Sequence, residues 1–259
     1  MSVKRHLLTR RRFLTLALAA VPGVSLAGNV ALDQTHLRVS RFNLRASASP
    51  RRFVHISDLH YRGDSGFADS IITAIHKERP DFVCFSGDLV DTPGHLAEAL
   101  EIIRGIGFPV FGIPGNHDHA CANSFHRHEH AFAATGGAWL MNRSAMTADG
   151  LTEIVGLDGL RSHTLPPFHA RHRIVLTHFP VVADRLAGPV PSLVLAGHSH
   201  GGQIRIPFVG PLFLPYGVGA YDHGLFKIRS GPLHVSAGLG TSTVPVRINC
   251  RPEITVFEI

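Results

Sequence analysis

The stretch DFVCFSGDLVD, Asp81 to Asp91, sets four apolar residues together and then breaks at Ser86-Gly87 into a segment that carries two carboxylates. A short apolar run bounded by turn formers reads as a strand. The flanking segments FADSIITAIHKE (67–78) and HLAEALEIIRGI (95–106) space their apolar residues as amphipathic helices do. Helix alternating with strand makes the first half α/β, and RRFVHIS (51–57) and FPVFGIPG (108–115) add strands on either side. Beyond them SFHRHEHAFAAT (124–135) has a helical pattern and AWLM (138–141) that of a short strand. LTEIVGL (151–157), HRIVLTH (172–178), SLVLAGH (192–198), QIRIP (203–207), GLFKIRS (224–230), LHVSAG (233–238) and ITVFEI (254–259) read mostly as strands, with one short helix near PVVADRLAG (180–188). The second half is β-rich.

The polar residues at five of these strand ends are of one kind. Asp58 and His60 follow the first strand, Asp88 and Asp91 the second, and Asn116, His117 and Asp118 the third; His178 ends HRIVLTH, and His198 and His200 follow SLVLAG. A lone Asp or His in such a place is ordinary capping and turn chemistry. Five clusters of potential metal ligands are a different matter, because loops beyond the strand ends of an α/β sheet converge on a shared crevice. Oxygen and imidazole donors without cysteine suit manganese, iron or zinc better than a structural thiolate site.

Taken in order, DLH, GDLVD, GNHD, TH and GHSH resemble the signature of the calcineurin-like metallophosphoesterase superfamily, over about Phe53 to Gly202. The GGQIRIP that follows resembles the branch of bacterial YkuE and YaeI phosphodiesterases. The resemblance implies an α/β fold, a four-layer α-β-β-α sandwich with two mixed β-sheets and a site at one edge. It implies two divalent metal ions (Mn2+, Fe2+/Fe3+ or Zn2+), with Asp58, His60, Asp88 and His200 on the first and Asp88, Asn116, His178 and His198 on the second. His117 is then the proton donor to the leaving oxygen, with Asp118 helping to orient its ring. Two cations roughly 3.5–4 Å apart lower the pKa of a water and clamp phosphoryl oxygens, and an imidazole can supply the leaving group's proton near neutral pH. Gly87, Gly115 and Gly197, each just before a ligand, are expected to let the backbone turn tightly. Asp91 either hydrogen-bonds a ligand or caps the helix near His95. His126 and His130 could bind a metal as an i, i+4 pair, but no further ligand is near in sequence and a solvated face is the plainer reading. His55 reads as structural, and His119 as either pocket-lining or solvent-facing.

The chain has 259 residues, 44% hydrophobic and 17% charged, and a formal charge of +6. Five of its 25 basic residues, and no acidic one, lie in residues 1–27, which leaves 20 against 19 in the remainder. The folded part is nearly neutral, so composition gives no case for a nucleic-acid partner. Thr9-Arg10-Arg11-Arg12-Phe13-Leu14, an apolar run to about Val21 and small residues at Ser25 and Ala27 resemble a twin-arginine export signal. The expected organisation is a signal peptide or anchor over 1–27, an extension over 28–52 and the metallophosphoesterase domain over 53–259. The twin-arginine translocase is the expected export partner and the periplasm, soluble or anchored, the expected location. Three cysteines without a C-x-x-C pair argue against a disulfide framework.

The apolar stretch from Ile206 to Gly219, IPFVGPLFLPYGVG, is either a wall for an acyl chain or membrane surface, or a loop packed over the sheet edge, the plainer reading. The function expected is hydrolysis of phosphodiester or pyrophosphate bonds of a cell-envelope or lipid-linked substrate. A UDP-2,3-diacylglucosamine pyrophosphatase-like enzyme of lipid A synthesis is the rival within that class, and export argues against it because nucleotide-sugar lipids face the cytoplasm. A non-catalytic scaffold of this fold, as in a retromer subunit, should lack ligands or the proton donor. Here every position is filled.

Overall fold

The computed structural model of the protein describes residues 35–44 and 50–259; the export signal expected in residues 1–27 lies outside them. Among the described residues no helix is long and apolar enough to cross a membrane. In chain order the elements are β1 (Arg38–Asn43), β2 (Arg52–Ile56), α1 (Ser65–Glu78), β3 (Phe82–Phe85), α2 (Leu96–Gly105), β4 (Val110–Gly112), α3 (Asn116–Cys121), α4 (His126–Ala134) and β5 (Ala138–Trp139). There follow β6 (Arg143–Met146), β7 (Thr152–Leu157), β8 (His163–Thr164), β9 (His172–Thr177), β10 (Leu186–Ala187) and β11 (Leu193–Ala196). The last are β12 (Arg205–Ile206), β13 (Gly210–Pro211), β14 (Gly224–Ile228), β15 (Gly231–Val235) and β16 (Glu253–Glu258).

Two six-stranded mixed sheets result, ordered β1-β16-β2-β3-β4-β5 and β14-β15-β11-β9-β7-β6. Strand periodicity assigns the layers. In β2, Phe53 points between the sheets, where it stacks on Phe82 and Phe257 at 5.1 Å, while Val54 and Ile56 point to the helices. The helical face is completed by Ala68, Ile71 and Ile75 of α1, Leu96, Leu100 and Ile103 of α2, and Phe132 of α4. Each of the larger of these side chains contributes about 1.5–3 kcal/mol by burial. Asp64 caps α1 by accepting from the Phe67 N–H at 2.9 Å, and Arg79 ends it in the left-handed region.

One feature differs from the sequence reading. The strand β1 lies inside the segment expected to be an extension, and it pairs in parallel with β16 over six residues. Its two apolar residues fall on opposite faces, Val39 against the helical side and Phe42 between the sheets, so that part of 28–52 belongs to the sheet. On the outer face of the second sheet, the fourth layer is the 3₁₀ helix Pro180–Arg185 with loops, packing Val182 and Ala183 over Val194 and Val235.

The chemistry is positioned by strand direction. Neighbours from β2 to β5 are parallel, as are those from β7 through β9 and β11 to β15, so the loops after these strands leave each sheet at a common edge.

Candidate metal centre

Five of the seven expected ligands hold left-handed backbone: Asp58 (φ 51°), His60 (42°), Asp88 (62°), His198 (66°) and His200 (51°). Each costs of order 1–3 kcal/mol for a residue with a Cβ, a concentration of strain that marks functional loops. The glycines act differently from expectation. Gly87 takes the positive φ (101°), but Gly115 and Gly197 do not; there a Cβ would overlap the carboxylates of Asp88 and Asp58. Their value is close approach.

The donors form two end groups, Asp58–His60–His200 and Asp88–His178–His198, linked by a third, His60–Asp88–His117, and Asn116 joins the second through His178. In one, His60 Nε2 lies 3.1 Å from His200 Nε2 and 4.0 Å from Asp58 Oδ1, which is 3.5 Å from His200 Nε2. In the other, His178 Nε2 lies 3.1 Å from both Asn116 Oδ1 and His198 Nδ1. Asp88 stands between them: its Oδ2 is 3.5 Å from His60 Nε2 and 3.2 Å from His178 Nε2. The backbone N–H of His117 donates to Asp88 Oδ1, whereas Oδ2 is buried without a hydrogen-bond partner.

The outer nitrogens settle which ring atoms face inward. His178 Nδ1–H donates to the Ser86 carbonyl at 2.8 Å and His198 Nε2–H to the Tyr216 carbonyl at 2.8 Å. His60 Nδ1–H donates to Asp91 Oδ1 at 2.6 Å. Bare lone pairs of His60, His178 and His198 therefore converge with the oxygens of Asn116 and Asp88, an arrangement of acceptors that needs a cation or a proton at its centre. Without a cation a proton serves: burial alone would lower His178, but Asp88 beside it draws its pKa up to about 9. Burial lowers His198 to about 4 and His200 well below its ordinary value, keeping both rings neutral as ligands require. Burial raises the Asp58 carboxyl, with Asp88's like charge adding to the effect. Two buried carboxylates, four imidazoles and an amide oxygen thus fit two cations that share Asp88.

His117 is the proton donor's candidate, half-buried and beside this centre. Its Nδ1–H donates to Asp91 at 2.9 Å, the main cause of its raised pKa. Asp118, expected to orient that ring, does not. It is fully buried, and its oxygens accept the backbone N–H groups of Asp88 (2.8 Å), Leu89 (2.9 Å) and Gly115 (2.9 Å). As the third residue of α3 its side chain reaches back to the N-cap N–H of Gly115 and anchors the loop that holds Asp88. The orienting role falls to Asp91, which binds both His60 and His117 and caps no helix. Ser199, between the two histidines of GHSH, turns away to the Ser236 carbonyl.

The profile of the Metallophos family, described as calcineurin-like phosphoesterase, matches residues 51–202, which contain all seven convergent side chains. The chain is a calcineurin-like phosphoesterase. This family of metal-dependent phosphoesterases is dimetal, in keeping with the paired donor groups. The uncharacterized metallophosphoesterase YkuE of Bacillus subtilis is 30% identical over 88% of this chain and 87% of its own. Phosphodiesterase YaeI of Escherichia coli is 28% identical over 98% and 100% respectively. The structure of TT1561 of Thermus thermophilus has 11% identity and a TM-score of 0.49, over 74% of this chain and 91% of that one.

The other histidines of this phosphoesterase fall outside the centre. His126 is exposed beside Glu129 at 3.7 Å, and His130 is exposed beside Arg104 at 3.4 Å; neither belongs to a metal-binding group among the described residues. His119 bonds Asp158 at 2.8 Å on the rim. His55 is buried and donates to Ser86 Oγ, beneath the ligand loops. The apolar segment after GHSH is not packed down as the plainer reading expects. It forms the β12–β13 hairpin and a following loop, with Phe208 (110%), Val209 (74%), Phe213 (64%) and Tyr216 (84%) exposed. Asp91, Arg62 and the Tyr216 carbonyl are the site groups that sequence reasoning left undecided or missed; only the GDLVD spacing pointed to one of them.

Proposed function

We propose that this calcineurin-like phosphoesterase is an exported hydrolase of phosphodiester or pyrophosphate bonds in an amphiphilic cell-envelope compound. The observation that carries the substrate reading is the bond from His198 to the Tyr216 carbonyl, which ties a metal-ligand candidate to the apolar loop that follows the hairpin. From Ile206 to Tyr221 the chain has no charged residue. An apolar, aromatic ledge bonded to the reaction centre suits a substrate whose phosphate adjoins hydrocarbon, and its contact with a membrane surface.

Asp58, His60, Asp88 and His200 would hold one metal ion, and Asp88, Asn116, His178 and His198 the other, the pair supplying a nucleophilic water and neutralising phosphoryl charge. His117 gives its proton to the departing oxygen through Nε2, while Asp91 fixes the ring through Nδ1. Ser86 and Tyr216 hold the tautomers of His178 and His198.

The test uses matched phosphodiesters with short and long acyl chains, assayed with manganese-, iron- and zinc-loaded protein. Long chains should lower KM, and Phe208→Ser with Phe213→Ser should remove that preference. Equal KM for both chain lengths sinks the amphiphile reading, and no hydrolysis with any metal sinks the enzyme reading. Export by the twin-arginine translocase is read from Thr9 to Leu14, so replacing Arg10 and Arg11 by Lys should retain the protein in the cytoplasm.

A further inference from the structure

Two residues beyond His60, the guanidinium of Arg62 turns back onto Asp91. Its Nε donates to Asp91 Oδ2 at 2.7 Å and its Nη2 lies 2.5 Å from the same oxygen, so one edge of the planar fork is engaged. The opposite oxygen, Oδ1, receives both His60 and His117. The remaining edge, Nη1 with the second hydrogen of Nη2, has one further partner among the described residues, Thr241 Oγ1 at a long 3.5 Å. The side chain is 44% exposed. A guanidinium carries five donors arranged to grip a phosphate or carboxylate in bidentate fashion. Here the carboxylate that restrains it is already shared with two imidazoles, so its charge is incompletely answered and its free edge faces solvent.

The position of that edge is set by the shared carboxylate. Groups bonded to the two oxygens of one carboxyl lie within roughly 8 Å of each other. Arg62 therefore stands beside both His117, the candidate proton donor, and His60, and on a different carboxylate from the loop that carries His198, which bonds Asp58.

We propose that Arg62 recognises a second phosphate, borne by the leaving group, so that the preferred substrate is a diphosphate or a diester whose departing alcohol is phosphorylated. This rests on the phosphoesterase reading above and narrows it. In the diphosphate case the water oxygen bonds to the reacting phosphorus and the bond from that phosphorus to the bridging oxygen breaks. The electron pair stays on the departing phosphate, and the two water protons pass to the products and solvent. Arg62 offsets the charge that collects on the departing phosphate.

The experiment compares wild type, Arg62→Lys and Arg62→Met on bis-p-nitrophenyl phosphate, whose leaving group has no phosphate, and on UDP-glucose, a diphosphate diester. Arg62→Met should lower kcat/KM for UDP-glucose about tenfold to a hundredfold more than for bis-p-nitrophenyl phosphate, with Arg62→Lys between. Calorimetric binding of imidodiphosphate should weaken by a similar factor in Arg62→Met, at unchanged metal content. Equal losses on both substrates, or unchanged imidodiphosphate binding, would show that Arg62 only locks Asp91 and would overturn the proposal. Wild type inert toward both substrates would strike the phosphoesterase reading instead, and the imidodiphosphate comparison, which needs no turnover, would still decide the role of Arg62.

Discussion

Replacing Asp91 by Asn is the sharpest probe of the centre, because this carboxylate does three things with two oxygens. Oδ1 accepts from His60 at 2.6 Å and from His117 at 2.9 Å, and Oδ2 accepts from Arg62 at 2.7 Å. An amide offers one oxygen. Turned toward the imidazoles, it sets its NH2 against the Arg62 donors; turned toward Arg62, it sets that NH2 against two imidazole N–H groups. Either way at least one charge-assisted hydrogen bond is lost, about 1.5–3 kcal/mol each. Loosening a metal ligand's outer partner typically costs ten- to a hundredfold, and misplacing the proton donor adds to that. The expected loss in kcat/KM is about 10²–10³-fold, or roughly 2.7–4 kcal/mol. The pH profile supplies a signature. His117 is raised mainly by its bond to Asp91, and as an acid it works only below its pKa. Removing the carboxylate charge lowers that pKa, so the alkaline limb of kcat/KM should move to lower pH in Asp91→Asn. Hydrolysis of bis-p-nitrophenyl phosphate by manganese-loaded protein, followed from pH 5 to 10, reads both. A loss below threefold, or an unmoved alkaline limb, refutes the assignment.

Asp118→Asn should act on the fold: an amide cannot accept three backbone N–H groups, so the expected cost is about 2–5 kcal/mol, seen as a fall in Tm of roughly 5–15 °C. A variant that kept its Tm but lost activity would return Asp118 to the chemistry. Metal affinity should climb with pH, about tenfold per unit up to near pH 9, because binding displaces the proton that Asp88 holds on His178; titration calorimetry at pH 7 and 8 measures it, and a flat response contradicts the convergent-acceptor reading. Chelation should lower stability by about 4 kcal/mol where free metal had stood at a thousand times Kd, seen as a fall in Tm, and re-addition should restore it. His128 is buried against Trp139 with both ring nitrogens unpaired, and burial lowers its pKa to about 4. It stays neutral in the fold but protonates near 6.5 when unfolded, so stability is lost as pH falls below about 6.5. His128→Phe should therefore stabilise by about 1–3 kcal/mol at pH 7.5 and roughly 2 kcal/mol more at pH 5; an equal gain at both values, measured by urea unfolding, would rule out the linkage.

How far the centre could be read in advance differs by residue, and the reason is physical. Asp58, Asp88, His178 and His198 are legible because each follows an apolar run, and parallel strands carry such positions to one edge whatever the details of the loops. Asp91 and Asp118 were not separable on that basis, since each is an acidic residue a few places past a strand. What separates them is the direction of the backbone between. α3 begins at Asn116 and turns Asp118 inward onto the β3 loop, whereas Val90 bridges to Tyr61 and leaves Asp91 facing His60 and His117. The hairpin was misjudged for a related reason: an apolar sequence reports a tendency to be covered, and only tertiary structure says by what. Phe208 stands out at φ 68°, a costly conformation for an aromatic residue, at the tip of a turn that packing does not bury. Strain of that kind at five ligand candidates and again at the hairpin tip belongs to the regions that would meet substrate, while the sheets behind them rest on Phe53, Phe82 and Phe257 in unstrained strands. The stability of the two-sheet core is what allows those loops to hold conformations they would not choose alone.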